Sequence, residues 1–161
     1  MIGRRLAIAF FIAVPAVLQS QAPSIVAGPD GAARITIGGK QIRVAKERRQ
    51  TGIREPQVAP DGTAGWLVEY QMEGVPRPVA ATLTLWRGGR TIRRFPTQQS
   101  FWSWSFYAEG KQVAFHSGPL HGEPKSHCEL HDVASGRLIA QWDGDLGSPG
   151  NRPTWTNGLS H

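Results

Sequence analysis

The sequence predicts an all-β, antiparallel fold: two four-stranded units preceded by an N-terminal hairpin and packed as a small two-sheet domain. Three observations point there. Short runs of alternating polar and apolar residues are separated by glycine-bearing turns, the pattern of strands with one buried face. The turn order of residues 55–96 recurs in residues 101–143: Gly62 matches Gly110 at an offset of 48, and Gly89 matches Gly136 at 47. Ile92 and Phe95 match Ile139 and Trp142, also at 47. Beyond the N-terminal leader, no stretch has the 3.6-residue periodicity of an amphipathic helix.

The chain has 161 residues, which suits a single domain. Residues 1–22 read as a secretory signal peptide. Arg4 and Arg5 precede an apolar run from Leu6 to Leu18, and Ser20-Gln21-Ala22 supplies small residues at a cleavage site. The run is short for a membrane span, so cleavage is expected to leave residues 23–161 in the periplasm or secreted, with no membrane-spanning segment. Sec and twin-arginine export are both open. Cys128 is the only cysteine, which excludes an intrachain disulfide. Residues 23–99 carry 12 Lys/Arg against 6 Asp/Glu, and residues 100–161 carry 4 against 6. A basic first half is either a solvated face or a surface for an anionic partner. No nucleic-acid-binding motif is present, and nucleic acid is not an expected partner.

In chain order, Pro23–Ala33 reads as a loose lead-in. Arg34–Ile37 and Gln41–Val44 alternate around Gly38-Gly39, a hairpin signal over residues 34–45. Lys46–Arg54 reads as a charged connector. The first unit, residues 55–96, runs strand (Glu55–Ala59), Pro60-Asp61-Gly62 turn, strand (Gly65–Met72), loop, strand (Val79–Arg87), Gly88-Gly89 turn, strand (Arg90–Phe95). The second, residues 101–143, repeats it with strands at Trp102–Tyr107, Gln112–His116, Ser126–Val133 and Arg137–Trp142. Its turns are Ala108-Glu109-Gly110 and Ala134-Ser135-Gly136, with a loop at Ser117–Lys125. Residues 144–161 read as an irregular tail that Trp155 and Leu159 could anchor.

Val58-Ala59-Pro60-Asp61-Gly62 resembles the opening turn of WD-like and Tol-type β-propeller blades. Glu129-Leu130-His131-Asp132-Val133-Ala134-Ser135-Gly136-Arg137 is similar to their third turn, in which Asp and Ser bond turn amides. The resemblance covers residues 55–143 as two divergent copies, whereas propellers close with four to eight blades. It implies blade-like sheets in a small secreted bacterial protein, with edges that must be covered by packing, by the tail or by assembly.

Candidate site residues fall in two groups. His127, Glu129 and His131 alternate with Cys128 and Leu130, so one strand face would carry H-x-E-x-H. With His121 from the preceding loop, this could hold a transition metal such as zinc. Plain alternation would equally produce a polar outer face. Trp102, Trp104 and Phe106 at alternate positions would form an aromatic strip, serving either as a sheet-packing seam or as a stacking platform for sugar rings. Trp66, Trp86 and Trp142 read as core. A catalytic set from Ser117, His116 and Asp132 has no nucleophile-elbow sequence to support it. Asp143 and Asp145 read as turn residues, and no phosphate-cradling glycine loop precedes a helix. The expected function is non-enzymatic binding of a protein or cell-envelope polymer, without a cofactor. The alternatives are a metal-binding protein or metalloenzyme on the histidine face, and carbohydrate binding on the aromatic strip.

Overall fold

The computed structural model describes residues 23–121, 127–147 and 151–159. The leader expected over residues 1–22 lies outside them, as does the end of the Ser117–Lys125 loop. Over these residues the protein is all-β, with eleven strands in three antiparallel sheets. The first sheet is β1 (Ser24–Ala27), β2 (Ala33–Ile37) and β3 (Lys40–Arg43). The second is β4 (Gln50–Val58), β5 (Ala64–Tyr70), β6 (Val79–Arg87) and β7 (Arg90–Pro96). The third is β8 (Ser100–Tyr107), β9 (Gln112–Gly118), β10 (His127–Asp132) and β11 (Leu138–Asp143). Each sheet is a meander in which sequence neighbours pair. Among the described residues the sheets do not close into a barrel or ring.

Two segments differ from expectation. The lead-in contains a strand: β1 pairs with β2, Ile25 opposite Ile35, so the expected hairpin over residues 34–45 is a three-stranded sheet and the domain has three sheets rather than two. The charged connector ends early, because β4 begins at Gln50. Its amide donates from Nε2 to the Gly31 carbonyl at 2.6 Å, and its Oε1 accepts from the Glu47 amide at 2.9 Å. These bonds satisfy a buried polar side chain that would otherwise be costly. Ile53, opposite Val68 on β5, then places an apolar residue on the inner face.

The sheets stack face to face. Ile35, Ile53, Trp66, Val68 and Trp86 fill the space between the first and second sheets, helped by Ile25 and Ile42. Leu67, Leu83, Leu85 and Phe95 of the second sheet meet Phe101, Trp104, Val113 and Phe115 of the third. Alternate residues of β5, and of β6 beyond its bulge at Ala81, therefore serve two different cores, which follows from the two-residue period of a strand. On the far face of the third sheet, the tail supplies Leu146, Trp155 and Leu159 over Ala114, Cys128, Leu130 and Trp142. Arg152 ties that tail down, donating from Nη1 to the Leu146 carbonyl at 2.8 Å and from Nε to Thr156 Oγ1 at 2.9 Å.

The centre of the stack is Trp104, which is 1% exposed. Its ring lies over Gly65, where an added Cβ would come within 2.5 Å of the indole and 2.8 Å of Leu85. Its Nε1–H donates to the Glu55 carbonyl at 2.9 Å. That carbonyl is available because Glu55 (φ +50°) and Pro56 sit in a bulge between the Arg54–Leu67 and Gln57–Gly65 pairs. A bulge is where a strand tolerates proline, which has no amide hydrogen to donate to the ladder. Gln57 returns the contact from Nε2 to the Trp104 carbonyl at 2.8 Å, and Arg54 donates from Nη2 to the Phe101 carbonyl at 2.7 Å. Both of these side chains reach a residue 47 positions on, so the repeat distance of the sequence is also the distance between partners across the interface.

The opening turn is used twice within the described residues, once more than the alignment of the two long units shows. In Pro29-Asp30-Gly31 and Pro60-Asp61-Gly62 the glycine is left-handed, at φ +78° and +80°. Asp30 Oδ1 accepts from the Ala32 amide at 3.3 Å and Asp61 Oδ1 from the Thr63 amide at 2.9 Å. In each turn the other carboxylate oxygen holds an arginine from further along the sheet, Arg43 at 2.6 Å and Arg87 at 2.7 Å. The first sheet therefore opens as the second does and stops one strand short.

Because Trp104 occupies the space a side chain at 65 would need, Gly65→Ala is expected to cost about 1–3 kcal/mol by overpacking. Urea unfolding should show a lowered midpoint. The effect should be non-additive with Trp104→Phe, since a smaller ring relieves the same clash. Additive penalties in the double-mutant cycle would show that the two residues do not share this contact.

Candidate functional site

Strand β10 carries the histidine face, and the structure turns it inward. Cys128 and Leu130 pack under the tail on the far face, and burial pushes the Cys128 thiol up to about 11, leaving it a protonated apolar group at neutral pH. His127, Glu129 and His131 point the other way, toward the margin between the second and third sheets. His131 is stacked on Phe115, with ring centroids 5.1 Å apart, and tilted against Phe95 of the second sheet at 4.9 Å. Its side chain is 12% exposed. It is thus part of the inter-sheet packing rather than of a polar outer face.

The three side chains and Asp143 form a continuous hydrogen-bonded row. Asp143 Oδ1 is 2.6 Å from His127 Nδ1, and Glu129 Oε1 is 2.9 Å from His127 Nε2. Glu129 Oε2 lies 2.5 Å from His131 Nε2, and His131 Nδ1 donates to the Gly136 carbonyl at 3.1 Å. The register explains the arrangement: His127 lies opposite Asp143 across the β10–β11 ladder. The Gly136 carbonyl comes within reach because Asp132 folds the following turn, accepting from the Ser135 amide and hydroxyl at 2.6 Å each.

Burial opposes charge on the His127 ring, but hydrogen bonds to Asp143 and Glu129 outweigh it and hold its pKa above the ordinary 6.5. Burial likewise opposes charge on Glu129, yet hydrogen bonds from His131 and then His127 bring its pKa below 4.5. Both His127 nitrogens face carboxylate oxygens, Asp143 on one side and Glu129 on the other. The carboxylate of Glu129 lies between the two imidazoles, so the donors face one another in pairs and do not converge on a shared point. Among the described residues, no group of three or more His, Cys, Asp or Glu side chains has the geometry to hold a metal ion. His121 is exposed in the loop after β9, and residues 122–126, which separate it from β10, lie outside the described residues.

The aromatic strip is split by a bulge. Between the Phe101–Ser117 and Ser103–His116 pairs, Trp102 is unpaired in the β8–β9 register, and the alternation slips by one. Phe101, Trp104 and Phe106 therefore share the inter-sheet face. Trp102 turns to the opposite face, edge-on to His116 at 4.7 Å and over Gly118. A platform for sugar rings requires exposed coplanar faces, and Trp104 is buried with its indole nitrogen already bonded. Nor do Ser117, His116 and Asp132 assemble: His116 is buried against Trp102, whereas Asp132 is committed to its own turn. Asp145 caps a turn through the Gly147 amide at 2.8 Å, as a turn residue should. No protein-family model matches the chain, and no curated protein matches it significantly.

The row on β10 makes stability depend on pH in a definite sense. A raised folded pKa at His127 adds stability that is fully present below about 6.5 and is lost as pH rises through the folded value. A lowered pKa at Glu129 adds stability that is present above about 4.5 and is lost as pH falls through the folded value. Their joint contribution is therefore largest between those limits. In thermal melts, Glu129→Gln should lose more relative to the native chain at about pH 5.5 than at about pH 8.5. An equal loss at both would show that the row carries no charge coupling.

Proposed function

We propose that this chain is an exported, non-enzymatic β-module that binds an extended segment of a partner protein along the edge of β11. The observation that carries the reading is the contrast between the outer edge strands. Charges on an edge strand guard it against pairing with a foreign chain. Strand β3 has Lys40 and Arg43, while β7 has Arg90, Arg93 and Arg94 and ends in Pro96. Strand β11 reads Leu-Ile-Ala-Gln-Trp-Asp, with no charge before its last residue. Leu138 and Ile139 are 43% and 45% exposed. The opposite edges are occupied differently: β4 and β8 are joined by the Arg54, Gln57 and Trp104 bonds, and β1, equally uncharged, lies beside β4.

An unguarded edge offers unpaired backbone donors and acceptors at strand spacing, and apolar side chains beside them give selectivity; this is how β-augmentation recognises peptides. The blade-like turn chemistry supports the same reading, because an open stack of such sheets keeps edges that a closed ring would shield. The leader of residues 1–22 supports export. Among the described residues, the carboxylates and imidazoles of the β10 row bond one another.

The native chain should co-purify a protein partner from its own host, and the double substitution Leu138→Lys with Ile139→Lys should abolish that recovery. Its circular dichroism spectrum and melting temperature should remain those of the native protein, because both positions face solvent. Undiminished recovery by a folded variant would rule out β11 as the docking edge.

A further inference from the structure

A cleft of about 420 Å³ opens on the rim between the second and third sheets. It is lined by Arg87, Arg90, Thr91 and Arg93 around the β6–β7 turn, and by the Val133-Ala134 turn that follows β10. Its volume lies in the range of small-ligand sites. We infer that this cleft is a binding site for a multiply charged oxyanion of the phosphate type, held by the guanidinium groups of Arg87, Arg90 and Arg93.

The charge balance carries the inference. Of the three arginines, only Arg87 has a carboxylate partner among the described residues, Asp61 at 2.7 Å. Among the described residues no carboxylate lines the cleft, and Asp132, which precedes Val133 in the turn, already accepts at Oδ1 from the Ser135 amide and hydroxyl. Arg93 donates from Nη1 to the Ile92 carbonyl at 3.0 Å, while its Nε is buried with no hydrogen-bond partner. Two of the three guanidinium groups around the cleft thus have no carboxylate partner among the described residues, so the rim carries a positive field that an anion can complete. Arg93 is also held in place: its stem crosses Gly136 of the opposite sheet, where an added Cβ would lie 3.2 Å from Nε. Arg90, at the hairpin tip, is exposed. A planar fork held in place beside a second, exposed charge suits the geometry of phosphate oxygens, which accept two parallel N–H bonds from one guanidinium. Thr91 adds a hydroxyl that can donate to the same group.

The same chemistry could be presented as a free ion or as the repeating group of a polymer, and the two are separable by titration. The inference goes beyond the β11 edge and does not depend on it, because neither Leu138 nor Ile139 lines the cleft. The full chain would be titrated calorimetrically with inorganic phosphate, pyrophosphate and long-chain polyphosphate, with sodium acetate at matched ionic strength as reference. Pyrophosphate should bind saturably and raise the melting temperature, as any ligand selective for the folded state does. Arg90→Gln should weaken binding by about tenfold, the usual consequence of losing one charge-assisted bond. Arg93→Gln serves as a second variant, with Arg93→Lys keeping charge without the fork and recovering only part of the affinity. Arg77→Gln, in an exposed loop away from the cleft, should bind as the native chain does. Polyphosphate that binds more tightly per phosphate than pyrophosphate identifies a polymer as the source, and equal affinity identifies the free ion. Absence of saturable binding, or the same loss in Arg77→Gln as in Arg90→Gln, would overturn the assignment.

Discussion

The seating of Trp104 on Gly65 is the contact on which the stack depends. A large ring can approach a neighbouring sheet this closely only where the facing residue has no side chain, and Gly65 is flanked by Ala64 and Trp66, which serve the other face. Burial of an indole is strongly favourable, but its N–H must find an acceptor. The bulge at Glu55 and Pro56 provides one by leaving a carbonyl out of the β4–β5 ladder. A packing requirement in one sheet is therefore met by a backbone irregularity in the next.

The same economy explains why three small sheets hold together without covalent links. The second sheet is covered on both faces, so its strands need two apolar sets in alternate positions, and β5 and β6 provide them. The two outer faces are treated differently. The tail, held by Arg152, closes the far side of the third sheet. The first sheet presents Arg34 and Thr36 outward between buried Ala33 and Ile35, the ordinary alternation of a half-solvated sheet. The rim is where the chain is least self-satisfied. Strand β11 lacks guarding charge, and the neighbouring cleft gathers arginines beyond the carboxylates available to them. Both features lie on the outer edges, opposite the laced strands β4 and β8.

The β10 row shows how a polar strand face can be structural. Four side chains at the sheet margin bond in series, and each acceptor has a donor beside it. Such satisfaction lets a histidine stack on Phe115 inside the core margin without an unpaired polar atom. The residues that resemble a ligand set in sequence are committed to one another, and Asp143, opposite His127 in the ladder, takes the outer position in the row.

What the residues alone determined was local. Alternation, Gly-Gly and Pro-Asp-Gly turns and the 47-residue recurrence were enough for an antiparallel all-β chain, for the strands around residues 65–72 and 79–87, and for the shared face of His127, Glu129 and His131. Turn chemistry and strand period act over a few residues, so they can be read directly. The strand at Ser24–Ala27 was not legible, because Ser-Ile-Val-Ala between Pro23 and Gly28 is too short to show alternation and is stabilised by pairing with β2. The copy of the Pro-Asp-Gly turn at residues 29–31 was obscured by the shorter first sheet, which breaks the 47-residue spacing. The bulge at Trp102 was hidden as well, and it alone decides that Trp102 and Trp104 face opposite ways. Bulges, sheet stacking and the meeting of Arg93 with Gly136 arise from contacts between distant segments, whose register only the folded chain sets.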